Sequence, residues 1–139
     1  MPHVHPLQIY YEDTDLSGLV YHANYLKYFE RAREHLLGPA ELVRLYRAEG
    51  IGFVVYKCEL SFKEGAQLGD LLQIRTTVAL ESEYRAVFKQ LVWRPDGKAA
   101  MVDGIVQLVC VNREQRLVPL PRSVTARIAP APLPRSEGA

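Results

Sequence analysis

Between Tyr11 and Tyr25 the chain reads Tyr-Glu-Asp-Thr-Asp-Leu-Ser-Gly-Leu-Val-Tyr-His-Ala-Asn-Tyr, with three carboxylates (Glu12, Asp13, Asp15) inside four residues. Ionised at neutral pH, such carboxylates activate water or attack a carbonyl. A helical pattern starts just after His22, so unpaired backbone N–H groups and the positive end of a helix dipole lie close by. Donors of that kind stabilise a developing oxyanion, usually the largest contribution in acyl transfer. Gly18 lets the backbone approach a substrate closely. Carboxylate plus helix-start donors is a minimal hydrolytic site that needs no metal. The same residues also suit a plainer role, because Asp and Thr favour turns and caps ahead of a helix. Spacing alone leaves both readings open.

The elements that must position these groups follow from periodicity. Tyr25, Tyr28, Phe29, Ala32 and Leu36 form one apolar stripe, which predicts a helix over Asn24–Leu37. Lys27, Glu30, Arg31, Arg33 and Glu34 fill its solvated face. Gly38-Pro39 ends it, and a shorter helix is expected over Ala40–Glu49. Ahead of the main helix a leading strand covers about His5–Glu12. From Phe53 the period changes to two. Tyr56, Cys58, Leu60 and Phe62 alternate with Lys57, Glu59, Ser61 and Lys63, a strand with one wet face. A second strand alternates over Leu72–Glu81. Pro95-Asp96-Gly97 predicts a tight turn joining Tyr84–Arg94 to Ala99–Val111 as an antiparallel hairpin. The last strand is so apolar that both its faces should be buried. Ser123–Ile128 adds one helical turn, and the Pro-rich 129–139 tail reads as disordered beyond a single domain over 1–128.

The fold class is therefore α+β: an antiparallel sheet of about five strands wrapped around one long central helix. One helix cannot cover both faces of such a sheet, so a homo-oligomer, by default a symmetric dimer, is expected. In 139 residues, seventeen Lys+Arg against sixteen Asp+Glu give a net charge of +1, which removes the case for a nucleic-acid binder. No apolar run approaches the roughly 18 residues of a membrane span, and no signal segment is visible. Two unpatterned cysteines, Cys58 and Cys110, suit a reducing, cytoplasmic setting. No metal site is expected: His3 and His5 sit at a terminus read as mobile, and His35 reads as a surface residue.

Tyr11–Asp15, Gly18–Leu26 and Phe29–Arg33 together resemble the signature of the hotdog-fold acyl-CoA thioesterases. Within the 4-hydroxybenzoyl-CoA thioesterase group the similarity is nearest to the Tol–Pal-cluster branch, which Glu49–Val55 also resembles. The dense match covers about Tyr10–Arg33, and the rest agrees in layout. The resemblance implies a hotdog fold and hydrolysis of acyl-CoA, or an acyl-carrier-protein thioester, without a cofactor. A dimer of dimers (a homotetramer) is implied with it. It assigns Asp15 as nucleophile or general base, and His22 as the helix-start residue whose N–H faces the thioester oxygen. Tyr25 and Arg85 are the implied substrate-binding residues, Arg85 toward the CoA phosphates, where Lys89 could join it on the same strand face. Leu16-Ser17 departs from the small pair usual after the aspartate, so the acyl-group preference does not carry over. Two other functions share these features: an acyl-thioester dehydratase or hydratase, and a non-catalytic acyl-CoA binding protein.

Overall fold

Four long strands realise the period-two pattern after Gly50, and in the computed structural model, which describes residues 2–128, they form one antiparallel sheet. The 129–139 tail lies outside the described residues. In chain order the elements are β1 (His3–Gln8), α1 (Asn24–Leu37), α2 (Pro39–Arg44), β2 (Gly52–Phe62), β3 (Leu71–Leu80), β4 (Arg85–Trp93), β5 (Val102–Val111), β6 (Leu117–Val118) and α3 (Arg122–Ile128). The sheet order is β1-β3-β4-β5-β2, with the short β6 added beside β5. The β4–β5 hairpin closes over Pro95-Asp96-Gly97, but its ladder ends at the Val92–Val102 pair, so the connection is longer than a tight turn and β5 starts at Val102 instead of Ala99.

The concave face of the sheet wraps α1. Tyr25, Tyr28, Phe29 and Ala32 from the helix pack with Ile74, Val92 and Val102 in one cluster. Leu37 joins Phe88, Val106, Leu108, Cys110 and residues of α3 in a second. Phe29 is fully buried, worth about 2–3 kcal/mol in hydrophobic transfer. Its ring lies so close to β5 that a Cβ at Gly104 would sit 2.5 Å from it, so glycine is what admits the helix there. Arg127 of α3 donates to the Leu37 carbonyl at 2.9 Å, closing the end of α1.

Several expectations are corrected. The leading strand stops at Gln8, because Tyr11–Asp13 winds into a 3₁₀ turn pinned by the Tyr10 N–H on the Asp13 carboxylate at 2.7 Å. His3 and His5 belong to β1, where the His5 ring stacks on His35 of α1 at 4.5 Å. The second helix is α-helical only to Arg44, and Leu45–Glu49 continues as a π-turn that Gly50 ends at φ 67°. β5 alternates buried with half-buried or exposed positions, so only one of its faces is dry in the single chain. A bulge at Tyr56 interrupts the β2–β5 register, and α1 leaves β2 bare: Tyr56, Cys58 and Phe62 are all exposed. Arg33, expected on the solvated helix face, is buried. Its guanidinium donates to Gln90 Oε1 at 3.0 Å, while Gln90 Nε2 donates to the Phe29 carbonyl and the Thr76 hydroxyl.

Candidate active site

The acidic segment folds into a miniature hairpin ahead of α1. Thr14 and Val20 bridge antiparallel, Asp15 N–H donates to the Leu19 carbonyl at 2.9 Å, and Tyr21 N–H donates to the Asp13 carbonyl at 2.9 Å. Gly18, at φ 84°, closes the turn by donating to the Asp15 carbonyl. The far arm is held by a bridge from Leu19 to Gln67 and by Val20 N–H on the Ala66 carbonyl. Asn24 Nδ2 donates to the Asp13 carbonyl at 2.9 Å, which ties the hairpin base to the start of the helix. Asp15 is thereby the last paired residue before an exposed Leu16-Ser17-Gly18 tip.

The Asp15 carboxylate is open to solvent. Its Oδ1 accepts the Ser17 N–H at 2.8 Å and the Ser17 hydroxyl at 2.5 Å. These two bonds, with a smaller pull from His22, hold its pKa below the ordinary carboxylate value. At the helix start, Asn24, Tyr25 and Leu26 donate to the carbonyls of Tyr21, His22 and Ala23. The N–H groups of His22 and Ala23 have no protein acceptor among the described residues. The helix thus leaves two backbone donors open next to the carboxylate loop, as its first turn must.

A cleft of about 240 Å³ lies beside them, lined by Leu19, Val20, His22, Tyr25, Phe62 and Gly65, with Lys63 and Glu64 at its edge. The His22 ring meets Tyr21 at 4.7 Å and stands edge-on to Phe62 at 6.2 Å. Tyr25 is buried between Tyr28 and Phe62, and burial pushes its hydroxyl pKa up. His22 and Tyr25 therefore line one cleft, whereas Asp15 stands outside that lining on the neighbouring hairpin, near enough to His22 to feel its charge. Arg85 does not line that cleft within one chain. It starts β4, whose far end at Trp93 is about 26 Å away along the strand and nearer the cleft. There it pairs with Glu81 at 3.0 Å and lies over the Tyr56 ring at 4.4 Å. Lys89 shares that outer face and is exposed.

Phe62, the Ala23 N–H and the contact that Ser17 makes with Asp15 have no counterpart in the sequence reading. An Asp-x-Ser spacing could have flagged the Ser17 contact, since Asp side chains bind backbone two residues on. A backbone donor and an aromatic from a distant strand leave no such mark. A second cleft of about 350 Å³, between α1, α2 and the start of β2, carries none of the expected site residues. Among the described residues no group of three or more His, Cys, Asp or Glu is arranged to hold a metal, and no helix is long and apolar enough to cross a membrane.

The profile of the thioesterase-like superfamily matches residues 10–128. The acyl-CoA thioester hydrolase YbgC of Escherichia coli O6:H1 is 33% identical over 123 residues, covering 87% of this chain and 91% of the relative. The acyl-CoA thioesterase YbgC of Helicobacter pylori is 44% identical over 81 residues, 58% of this chain and 57% of that one. Among solved structures, a probable thioesterase from Bartonella henselae superposes with a TM-score of 0.80 at 32% identity, over 87% of this chain and all of that one. A 1,4-dihydroxy-2-naphthoyl-CoA thioesterase from Synechocystis gives 0.84 at 21% identity over 92% and 96%, a likeness of fold.

Proposed function

Because this chain belongs to the thioesterase-like superfamily, we propose that it hydrolyses acyl-CoA thioesters to the free acid and coenzyme A, with Asp15 as the reacting carboxylate. The observation that carries the reading is the pairing of an ionised, accessible Asp15 with the two acceptor-free N–H groups at the start of α1. The thioester carbonyl oxygen accepts from the His22 and Ala23 N–H groups, which stabilise the oxyanion as the tetrahedral intermediate forms. Asp15 either attacks the carbonyl carbon or takes a proton from the water that does. In the first route the CoA thiolate leaves an acyl-aspartyl anhydride, which water then opens. Phe62 and Tyr25 wall the cleft, whose volume suits a short or otherwise small acyl group.

The substrate class draws on relatives named as acyl-CoA thioesterases. Residues 1–128 form one thioesterase domain in this proposal, and the enzyme works on cytoplasmic acyl-CoA. The bare β2 supports a homo-oligomer, a dimer or a dimer of dimers. Arg85, remote from its own cleft, is assigned to CoA phosphates held in a neighbouring copy's cleft.

Thiol release across a panel of acyl-CoA esters tests the function. Turnover of small acyl groups is the expected result. Binding without release would identify a non-catalytic acyl-CoA binder, and enoyl absorbance without thiol would identify a dehydratase. In a single turnover in ¹⁸O-water, label found in Asp15 establishes direct attack, because it enters there when water opens the anhydride at the aspartyl carbonyl.

A further inference from the structure

The orientation of the Asp15 carboxylate is decided inside its own turn. Oδ1 takes both donors of Ser17, the N–H at 2.8 Å and the hydroxyl at 2.5 Å, whereas Oδ2 has no protein partner among the described residues. The Ser17 hydroxyl oxygen in turn lies 3.4 Å from the Leu19 N–H, on the other arm of the hairpin. Gly18 N–H on the Asp15 carbonyl fixes the backbone between them at 3.0 Å. An exposed aspartate on a turn otherwise rotates among several rotamers, at a cost in entropy whenever one is required. Here a single residue holds one oxygen from two directions.

We propose that Ser17 is a positioning residue for the thioester reaction: by clamping Oδ1 it fixes the Asp15 carboxylate in one orientation and leaves Oδ2 to meet the acyl carbonyl or the attacking water. The inference rests on the assignment of Asp15 above and goes beyond it, because it gives a role to Ser17, one of the two residues at which the chain departs from the sequence it resembles. Leu16 points into solvent at the tip. Ser17 places a hydroxyl on the reacting carboxylate, a donor that a small apolar residue could not supply. Hydrogen bonds to the charged form also favour that form. The clamp therefore keeps Asp15 ionised at lower pH. His22, at the start of α1, is the titratable neighbour that acts on the carboxylate through space, in the same direction.

The test is a ¹³C-carboxyl NMR titration of aspartate-labelled protein, run beside pH profiles of kcat and kcat/KM. Wild type, Ser17→Ala and Ser17→Thr are compared, and Asp15→Asn identifies the Asp15 resonance by its loss. Ser17→Ala should move the Asp15 midpoint up toward the ordinary carboxylate value and lower kcat about tenfold at unchanged KM, the order expected for losing one orienting contact. Ser17→Thr, which keeps the hydroxyl, should restore both. A wild-type midpoint or a wild-type kcat in Ser17→Ala, with Asp15→Asn inactive, overturns the role of Ser17 alone. An Asp15→Asn enzyme with full turnover removes instead the assignment on which the role rests.

Discussion

In the function proposed here, the reactivity of the exposed Asp15 carboxylate depends on two neighbours, Ser17 on one oxygen and the start of α1 beside it. Its depressed pKa means that the carboxylate form persists as the pH falls through the ordinary carboxylate range near 4. The acid limb of kcat/KM is accordingly expected below that range, and a limb at or above pH 5 would assign the titration to another group. The helix-start donors allow a sharper substitution. Ala23 has φ −68°, which proline adopts without strain, and its N–H has no protein acceptor among the described residues. Ala23→Pro removes that donor but also disfavours the helical conformation of His22, position i+1 of the Tyr21–Asn24 turn. In protein whose circular dichroism matches wild type, kcat should fall by about 10²–10³, the usual cost of one oxyanion donor. His22→Ala keeps its N–H and should cost less. Asp15 and His22 stand out in the sequence as candidates because acids and a lone histidine are densely spaced there. The donors were not, because an N–H group is present at every residue except proline.

At the scale of elements, the apolar stripe predicts α1 residue for residue, and the Pro-Asp-Gly turn predicts the β4–β5 hairpin but starts β5 three residues too early. Arg33 was misplaced although its position was readable: it lies four residues after Phe29 and therefore on the buried stripe. Charge outweighed period in that expectation, whereas the fold satisfies the charge with Gln90. Gln90→Leu strips partners from Arg33, the Phe29 carbonyl and Thr76 together. It should lower unfolding free energy in urea by about 1–3 kcal/mol or more, the cost of leaving buried polar groups unpaired. The seam between β1 and α1 carries a second expectation. His3 and His5 have lowered pKa values, from burial and then from His35, with His3 and then Arg31 adding to the effect at His5. A base whose folded pKa is depressed gives stability that is present above its unfolded value near 6.5 and lost as the pH falls through the folded value. Tm should therefore drop between pH 7.5 and 5.5, and His5→Phe should shrink that drop. Equal drops in the two proteins would exclude the imidazole stack as the cause.

For the whole molecule, the sequence carries the layer architecture and the expectation that one chain leaves sheet surface uncovered, but not that the uncovered surface is on β2. Alternation predicts a dry face for β2, yet Cys58 and Phe62 are exposed, and the bulge takes the exposed Tyr56 out of the alternation. Alternation reports which residues share a face, not what covers that face. A second copy is the cover proposed here, and light scattering at micromolar concentration should give two or four times the 15.8 kDa chain mass. A monomeric mass would leave Arg85 without a role, since its own cleft lies at the far end of β4. The central claim is narrower than the assembly: a single carboxylate, set against two helix-start donors, cleaves an acyl-CoA thioester. Its most direct test is thiol release from the best acyl-CoA of the panel by wild type and by Asp15→Asn, each checked for fold. The account predicts turnover by wild type and a loss of at least about a hundredfold in the variant, the scale of a missing nucleophile or base. An Asp15→Asn enzyme that releases thiol at the wild-type rate would contradict it.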